Sequence, residues 1–449
     1  MGKPHAILVP YPAQGHVIPM MELMQRLVKQ GVRVTFVNTD ITHKLVTNAL
    51  SEDDKLNDLA SLVSLPDGLA AGDVRNDLGK LTDSMFRVMP VKLEELIEQL
   101  NENDGEKVTC IVADTCMGWA FGVGEKLKVK KVAFWPASGV VLASLICIPK
   151  LIEDGIIDKK GTLMKKQIVQ LSPTMPAMSS SDFTWLSIGE KKTQQDLFDL
   201  MLKGNKFMKL AEHIVCNSAY ELETTTFNSF PEILPIGPLA SNKVANQIGH
   251  FWKEDLTCLT WLDQQPLGSV IYVAFGSVTM FDRRQFDELA LGLEMTNRPF
   301  LWVVREDMKN KVFINGTNNR RKIVGWAPQQ KVLNHPSMGC FVSHCGWNSV
   351  LEGVSSGLPF LCWSYVADQF INQMYICNVW KNGLEFDRDE CGIISREEIK
   401  NKIEKLLEDD EWKVRAIDLK EKVVAAVESG GHSDKIFSNF IDWIEDRDT

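Results

Sequence analysis

The chain is marked first by what it lacks. None of its 449 residues belongs to an apolar run of the roughly 18–20 positions that a membrane span needs. Among ten cysteines there is no Cys-x-x-Cys pair. Most of the thiols sit inside apolar stretches such as TCIVAD and FLCW, the pattern of reduced, buried cysteines and not of a disulfide framework. The start, MGKPHAILVPYP, has no long apolar segment and no small-residue cleavage site, so no secretory leader is expected. Positive charge is also scarce. With 49 Lys and Arg against 59 Asp and Glu, the net charge is −10, which argues against the basic face of a nucleic-acid binder. These absences lead us to expect a soluble, cytosolic protein with no nucleic-acid partner and no membrane span. Asn315, Gly316 and Thr317 fit a glycosylation sequon, but without a leader they read as an ordinary loop.

The chain does have enough apolar residues (45%) for two cores, given about 100–200 residues per domain. AILVPYP reads as a buried strand. In PMMELMQRLVKQG, Met20, Leu23, Met24, Leu27 and Val28 recur at helical spacing, with Pro19 at the start and Gly31 at the end. VRVTFVNT is the next strand, which completes a βαβ unit of a parallel sheet. TCIVAD, KVAFWP and HIVCNS continue the series. A second series starts near residue 268 with SVIYVAFGS and runs through PFLWVV, KIVGW, CFVSHC and LPFLCW, with helical patterns between. Ser395 and Glu398 form a capping box. The predicted architecture is α/β: two doubly wound, Rossmann-like domains facing a cleft. Residues 1–240 form the first domain, 241–255 a Pro- and Gly-containing linker, and 256–430 the second domain. Residues 431–449 form a helix whose apolar face (Ile436, Phe437, Phe440, Ile441, Ile444) needs a surface to lie on. Parallel sheets of this kind bind ligands beyond the carboxyl ends of their strands.

SHCGWNSVLEG, residues 343–353, follows such a strand. His344 and Cys345 are strand neighbours pointing to opposite faces, so they do not readily share a metal ion, and no second ligand pair stands nearby. Cys345 as a nucleophile would need a base and an orienting carboxylate, but its neighbours are apolar. A backbone reading fits better. Gly346 precedes a helix whose first N–H groups favour an anion, and Gly346 would let a ligand approach closely. Asn348 and Ser349 can cap the turn or bond a phosphate, and Glu352, one turn on, can accept from ribose hydroxyls. A well-capped helix with no ligand is the plainer alternative for this stretch alone.

The surrounding span from Trp326 to Gln369 (WAPQQKVLNHPSMGCFVSHCGWNSVLEGVSSGLPFLCWSYVADQ) resembles, without a gap, the donor-binding box of plant UDP-glycosyltransferases of secondary metabolism. The resemblance extends from PYPAQGHVIPMMELMQRL to the last helix. It implies the two-domain GT-B fold, with the C-terminal helix returning to the N-terminal domain. It also implies inverting transfer of a sugar from a UDP-sugar to a small acceptor, with no metal and no cofactor. By the same resemblance Trp326 stacks on uracil, with Ala327 and Gln329 on the base edge, and Glu352 holds the ribose. His344, Gly346, the Trp347 backbone, Asn348, Ser349, Ser277 and Thr279 hold the diphosphate, and Asp368 and Gln369 bind the sugar. Trp347 and Gln369 point to UDP-glucose. His16, in PAQGH, becomes the base that an acceptor hydroxyl needs, and Asp114, at the end of TCIVAD, the carboxylate behind it. Taken alone, a histidine in a loop would be read as a solvated surface residue.

Two departures from the family pattern are visible. WSYVADQ has Ser364 and Val366 where relatives carry Pro and an aromatic, which is expected to loosen the loop before Asp368. FWPASG has Pro136 where many carry Thr, with Ser138 close by. The acceptor should be an apolar hydroxylated natural product: a phenolic, flavonoid or terpenoid. Its walls are expected from Met85, Phe86, Met117, Ser138, Phe183 and Trp185. A monomer is expected. The rival functions are a UDP-sugar-binding protein without turnover and a UDP-sugar hydrolase or epimerase. GVGEKL at 122–127 lacks the third glycine of a dinucleotide fingerprint, Asp387 and Asp389 mimic a metal-binding DxD, and EDDEW at 408–412 reads as a solvated face.

Overall fold

The computed structural model describes residues 3–50, 57–70, 72–73, 75, 77–102, 107–240, 248–277, 281–305, 308 and 319–446. The chain forms two compact units, Met1–Trp252 with Ala426–Thr449, and Lys253–Ala425.

The first unit is built on β1 (His5–Val9), β2 (Arg33–Thr39), β3 (Ala60–Leu65), β4 (Cys110–Asp114), β5 (Lys130–Trp135), β8 (His213–Cys216) and β9 (Ile233–Pro235). A small antiparallel pair, β6 (Ile168–Val169) and β7 (Met178–Ser179), stands apart. The large sheet has the order β3-β2-β1-β4-β5-β8-β9 and is parallel throughout. Every residue of β1 and β4 is buried, which is why both read as unbroken aliphatic runs instead of alternating ones. The second unit holds β10 (Val270–Ala274), β11 (Phe300–Val303), β12 (Arg321–Val324), β13 (Met338–Ser343), β14 (Phe360–Cys362) and β15 (Gly383–Glu385), in the parallel order β12-β11-β10-β13-β14-β15. Each sheet reverses its winding once, between β1 and β4 and between β10 and β13. Such switch points are where ligands bind in open α/β sheets.

Several boundaries differ from the sequence expectation. The first helix is Gln14–Lys29, so it begins five residues before Pro19. Proline offers no N–H, and the first turn is held instead by His16 and Val17 donating to the Ala13 carbonyl, each at 2.9 Å. Pro19 is thus accommodated inside the helix, and His16 sits on its first turn, not in a loop ahead of it. Residues 241–247 of the expected linker lie outside the described residues. Ile248 is buried in the first unit's core, and Phe251 N–H donates to Gln14 Oε1 at 3.1 Å, so the units part only after Trp252. The second boundary falls inside the Asp410–Val427 helix and not at 430. The capping box is half made: Ser395 Oγ accepts from Glu398 N–H, but the Glu398 carboxylate accepts from Asp387 N–H and pairs with Lys402. The Leu78–Asn101 and Lys191–Met208 helices were not anticipated.

The last helix, His432–Glu445, does find a surface. Phe437, Phe440, Ile441 and Ile444 are buried with Met20, Leu23, Met24 and Leu27 of the first helix. Burying one such side chain is worth about 1.5–3 kcal/mol. Lys130 Nζ fixes the far end by donating to the Trp443 carbonyl (2.6 Å) and to that of Asp446, with its charge 4.7 Å above the Trp443 ring.

Candidate active site

In the first unit the winding reversal places the end of β4 beside the end of β1, with Val9 paired to Ala113. The chain leaving β1 turns into the helix that carries His16, and β4 ends on Asp114. His16 Nδ1 lies 2.6 Å from Asp114 Oδ2. The carboxylate side chain is fully enclosed and the imidazole 27% exposed, so the ring is held through Nδ1 and remains partly open to solvent. Asp114 Oδ1 accepts the Cys116 N–H at 2.8 Å, as the cap of the short Thr115–Met117 turn. Tyr11 lies against His16, ring centroids 5.3 Å apart. A base steadied by a buried carboxylate, at a strand end, is equipped to take a proton.

In the second unit the equivalent point lies between β10 and β13, where Ala274 pairs with Ser343. His344 follows β13, and its ring lies between two glycines. A Cβ at Gly276 would come within 2.6 Å of His344 Nε2, and one at Gly346 within 2.5 Å. Gly276 also has φ +67, which glycine adopts without cost. Gly346 was expected to admit a ligand, but the group it directly makes room for is this imidazole. Burial pushes the His344 pKa down to about 4, against a weaker upward pull from the Ala274 carbonyl. The ring is therefore neutral at pH 7.

Cys345 takes φ +64 and is fully buried, its N–H donating to Ser343 Oγ. It is the tight corner of the turn. Among the described residues no three His, Cys, Asp or Glu side chains converge as a metal site. The Trp347–Ser356 helix then starts on Gly346, which has no side chain to cap it. Asn348 and Ser349 lie within the first turn and do not act as its cap.

Four further side chains meet behind that turn. Gln329 Nε2 donates to Glu352 Oε2 at 2.6 Å and to Ser349 Oγ at 2.9 Å. Gln329 Oε1 accepts from the Tyr272 hydroxyl at 3.0 Å. Gln330 Nε2 reaches Glu352 Oε1 at 3.4 Å. Trp326 is half-buried and Ala327 buried, with the Trp326 carbonyl accepting from Asp255 N–H. Arg305 holds the Ser277 carbonyl. Thr279 lies outside the described residues.

The loop before Asp368 is well tied. Gln369 Oε1 accepts from Tyr365 N–H (2.8 Å) and Val366 N–H (3.0 Å), and Ser364 Oγ donates to the Gln369 carbonyl at 2.9 Å. Ser364 therefore fastens the loop it was expected to loosen. Asn372 Nδ2 donates both to Asp368 Oδ2 (2.7 Å) and to the Cys345 carbonyl (2.9 Å), which joins this loop to the glycine turn.

The family model described as UDP-glucoronosyl and UDP-glucosyl transferase matches residues 208–422. UDP-glycosyltransferase 83A1 of Arabidopsis thaliana is 43% identical over 100% of this chain and 98% of its own length. A 7-deoxyloganetin glucosyltransferase of Catharanthus roseus is 32% identical over 90% of this chain and 88% of its own. The chain belongs to the plant UDP-glycosyltransferase family. The crystal structure of Os79 from O. sativa in complex with UDP superposes with a TM-score of 0.83 at 25% identity, covering 98% of this chain and 100% of that one. The fold is accordingly GT-B, and the chain is a glycosyltransferase that uses a UDP-sugar donor and a small-molecule acceptor.

The acceptor side of this glycosyltransferase is less legible. Of the six residues expected to line it, Met85, Met117, Ser138, Phe183 and Trp185 are buried almost completely. Phe183 stacks on Trp185, whose Nε1–H donates to the Gly161 carbonyl and whose ring meets Phe198. Ser138 precedes the Gly139–Ile146 helix, whose first N–H groups are taken by the buried Glu223 carboxylate. All five are enclosed by neighbouring side chains, and Trp185 also lines a small cavity with Gly161, Thr162 and Gln194. Phe86 alone of the six keeps exposed surface, beside Phe207 and under the Lys203 ammonium. Asp387 and Asp389 are occupied by Lys402 and by the N–H groups of Cys391 and Ile393. The sequence reading missed Tyr272 and Asn372. A tyrosine in the middle of the aliphatic strand SVIYVAFGS was the available signal, because a buried phenol needs a partner.

Proposed function

We propose that this glycosyltransferase moves glucose from UDP-glucose to a hydroxyl of an apolar natural product, with inversion and without a metal, as a cytosolic monomer. The His16–Asp114 contact carries the reading. Asp114 holds the Nδ1–H, so His16 Nε2 can accept the acceptor's proton while the acceptor oxygen attacks the anomeric carbon. The bond from that carbon to the β-phosphate oxygen breaks, and UDP leaves with the electron pair. The imidazolium is balanced by Asp114.

Departing charge is met by the N–H groups at the start of the Trp347–Ser356 helix, assisted by Asn348, Ser349 and Ser277. His344 contributes as a neutral hydrogen-bonding group and not as a cation. Trp326, Ala327 and Gln329 face the uracil, and Glu352 the ribose hydroxyls. Asp368 and the amide N–H groups of Gln369, whose oxygen the loop already uses, bind the sugar. The relatives' printed activities, among them 7-deoxyloganetin glucosylation, support glucose and a terpenoid-like acceptor. The test is incubation with UDP-glucose and a panel of phenolics, flavonoids and terpenoids, with products read by mass and the anomeric configuration by NMR. A hexose adduct of β configuration that survives a metal chelator is expected. UDP release without any adduct would replace this reading with hydrolysis.

A further inference from the structure

Tyr272 lies in the middle of β10 with 1% of its surface exposed, its ring stacked on Phe341 at 5.1 Å. A phenol there needs a hydrogen-bond partner, since an unpaired buried hydroxyl is costly. Its partner is Gln329 Oε1 at 3.0 Å. Burial, and secondarily the Glu352 carboxylate, hold its pKa well above the ordinary phenol value, so the hydroxyl stays a donor. With its oxygen taken by Tyr272, the Gln329 amide presents both N–H bonds in the other direction. One goes to Ser349 Oγ at 2.9 Å and the other to Glu352 Oε2 at 2.6 Å. Both N–H bonds of this amide are thus committed, together with one of the two lone pairs of its oxygen.

The direction of the chain has consequences at both ends. Ser349 accepts from Gln329, so its own hydrogen remains to be donated outward from the first turn of the helix. Glu352, 7% exposed, accepts from Gln329 through Oε2 and from Gln330 through Oε1 at 3.4 Å, so both oxygens are fixed in direction, and a carboxylate offers about four lone-pair sites in all. We propose that Tyr272 is a positioning residue for the nucleotide half of the donor, acting through Gln329 to aim Ser349 as a donor to phosphate and Glu352 as an acceptor from the ribose hydroxyls. This rests on the donor reading given above. Without the phenol hydroxyl, the half-buried Gln329 side chain loses its inner anchor and rotates away, and Ser349 and Glu352 lose their common restraint.

The test is a double-mutant cycle on UDP affinity by calorimetry, with Tyr272→Phe, Gln329→Met and the pair. Each single substitution is expected to weaken UDP binding about tenfold, as for a lost buried hydrogen bond. The pair should be no weaker than Gln329→Met alone. Both singles should also narrow the preference for UDP over 2′-deoxy-UDP, and in Tyr272→Phe the KM for acceptor and kcat at saturating donor should stay within about twofold. A purely structural role would move the melting temperature and leave the deoxy preference intact. Unchanged UDP affinity in either single variant, or losses that simply add, overturns the inference alone. A wild-type chain that binds no UDP overturns the donor reading and this inference with it. Gln329→Met leaves the buried strand untouched, so it keeps the test decisive if Tyr272→Phe fails to fold.

Discussion

The imidazole of His344 is enclosed by Gly276 and Gly346, with its pKa pushed down to about 4 by burial. An unfolded chain would titrate it near 6.5. As pH falls below that value the unfolded state takes up a proton that the folded state refuses. Stability present at neutral pH is therefore lost between about 6.5 and 4, by at most about 3 kcal/mol. Urea unfolding at pH 7.5 and pH 5 should show this fall, and His344→Asn should flatten it; parallel curves would contradict the assignment. Asp114→Asn acts on the His16–Asp114 pair. It removes the charge behind His16 and should cut kcat by on the order of 10²–10⁴-fold with UDP affinity unchanged. Equal loss in both parameters would place Asp114 in binding instead. At this scale the sequence showed residue types well and contacts poorly. His16 and Asp114 follow recognisable strands, but Gly346 was read for a ligand when its nearest neighbour is an imidazole. Nothing local in the sequence reveals a ring folding back from two positions earlier.

Among the elements, the turn after β13 and the loop after β14 are tied by Asn372, which contacts both the Cys345 carbonyl and Asp368. Asn372→Ala should leave that buried carbonyl without this donor, costing about 1–3 kcal/mol. It should also lower kcat more than it raises the KM for donor, because Asp368, proposed above to bind the sugar, then loses the contact that holds it. Thermal melts with steady-state kinetics check both parts; a stability loss with normal kcat would make Asn372 structural only. Strands were the legible elements, because helices on both faces of a parallel sheet demand continuous apolar runs. Helix starts were less so. Pro19 looked like a first-turn proline but lies inside the helix, because the turn is nucleated earlier at Ala13. Glu398 matched a capping box by spacing, yet its carboxylate is claimed by Asp387 N–H and Lys402. Such competition comes from residues distant in sequence, where periodicity carries no information.

For the whole molecule, two α/β series in the sequence became two parallel sheets, and the last helix became part of the first unit's core. Phe440→Ala should destabilise that unit by about 3–5 kcal/mol, read by chemical unfolding. It should leave UDP affinity near wild type, since the nucleotide-binding residues proposed here belong to the other unit. The acceptor walls were the least legible part. Met, Phe and Trp lines mark a pocket and a core alike, and Phe183 and Trp185 are buried against each other.

The central claim is that one histidine does the proton transfer while a separate set of residues holds the donor. The direct measurement is sugar transfer and UDP affinity in His16→Ala, side by side. The account predicts transfer lost by at least about 10³-fold, within the range general-base removal gives, with the UDP dissociation constant within about twofold of wild type. Transfer at the wild-type rate would contradict it.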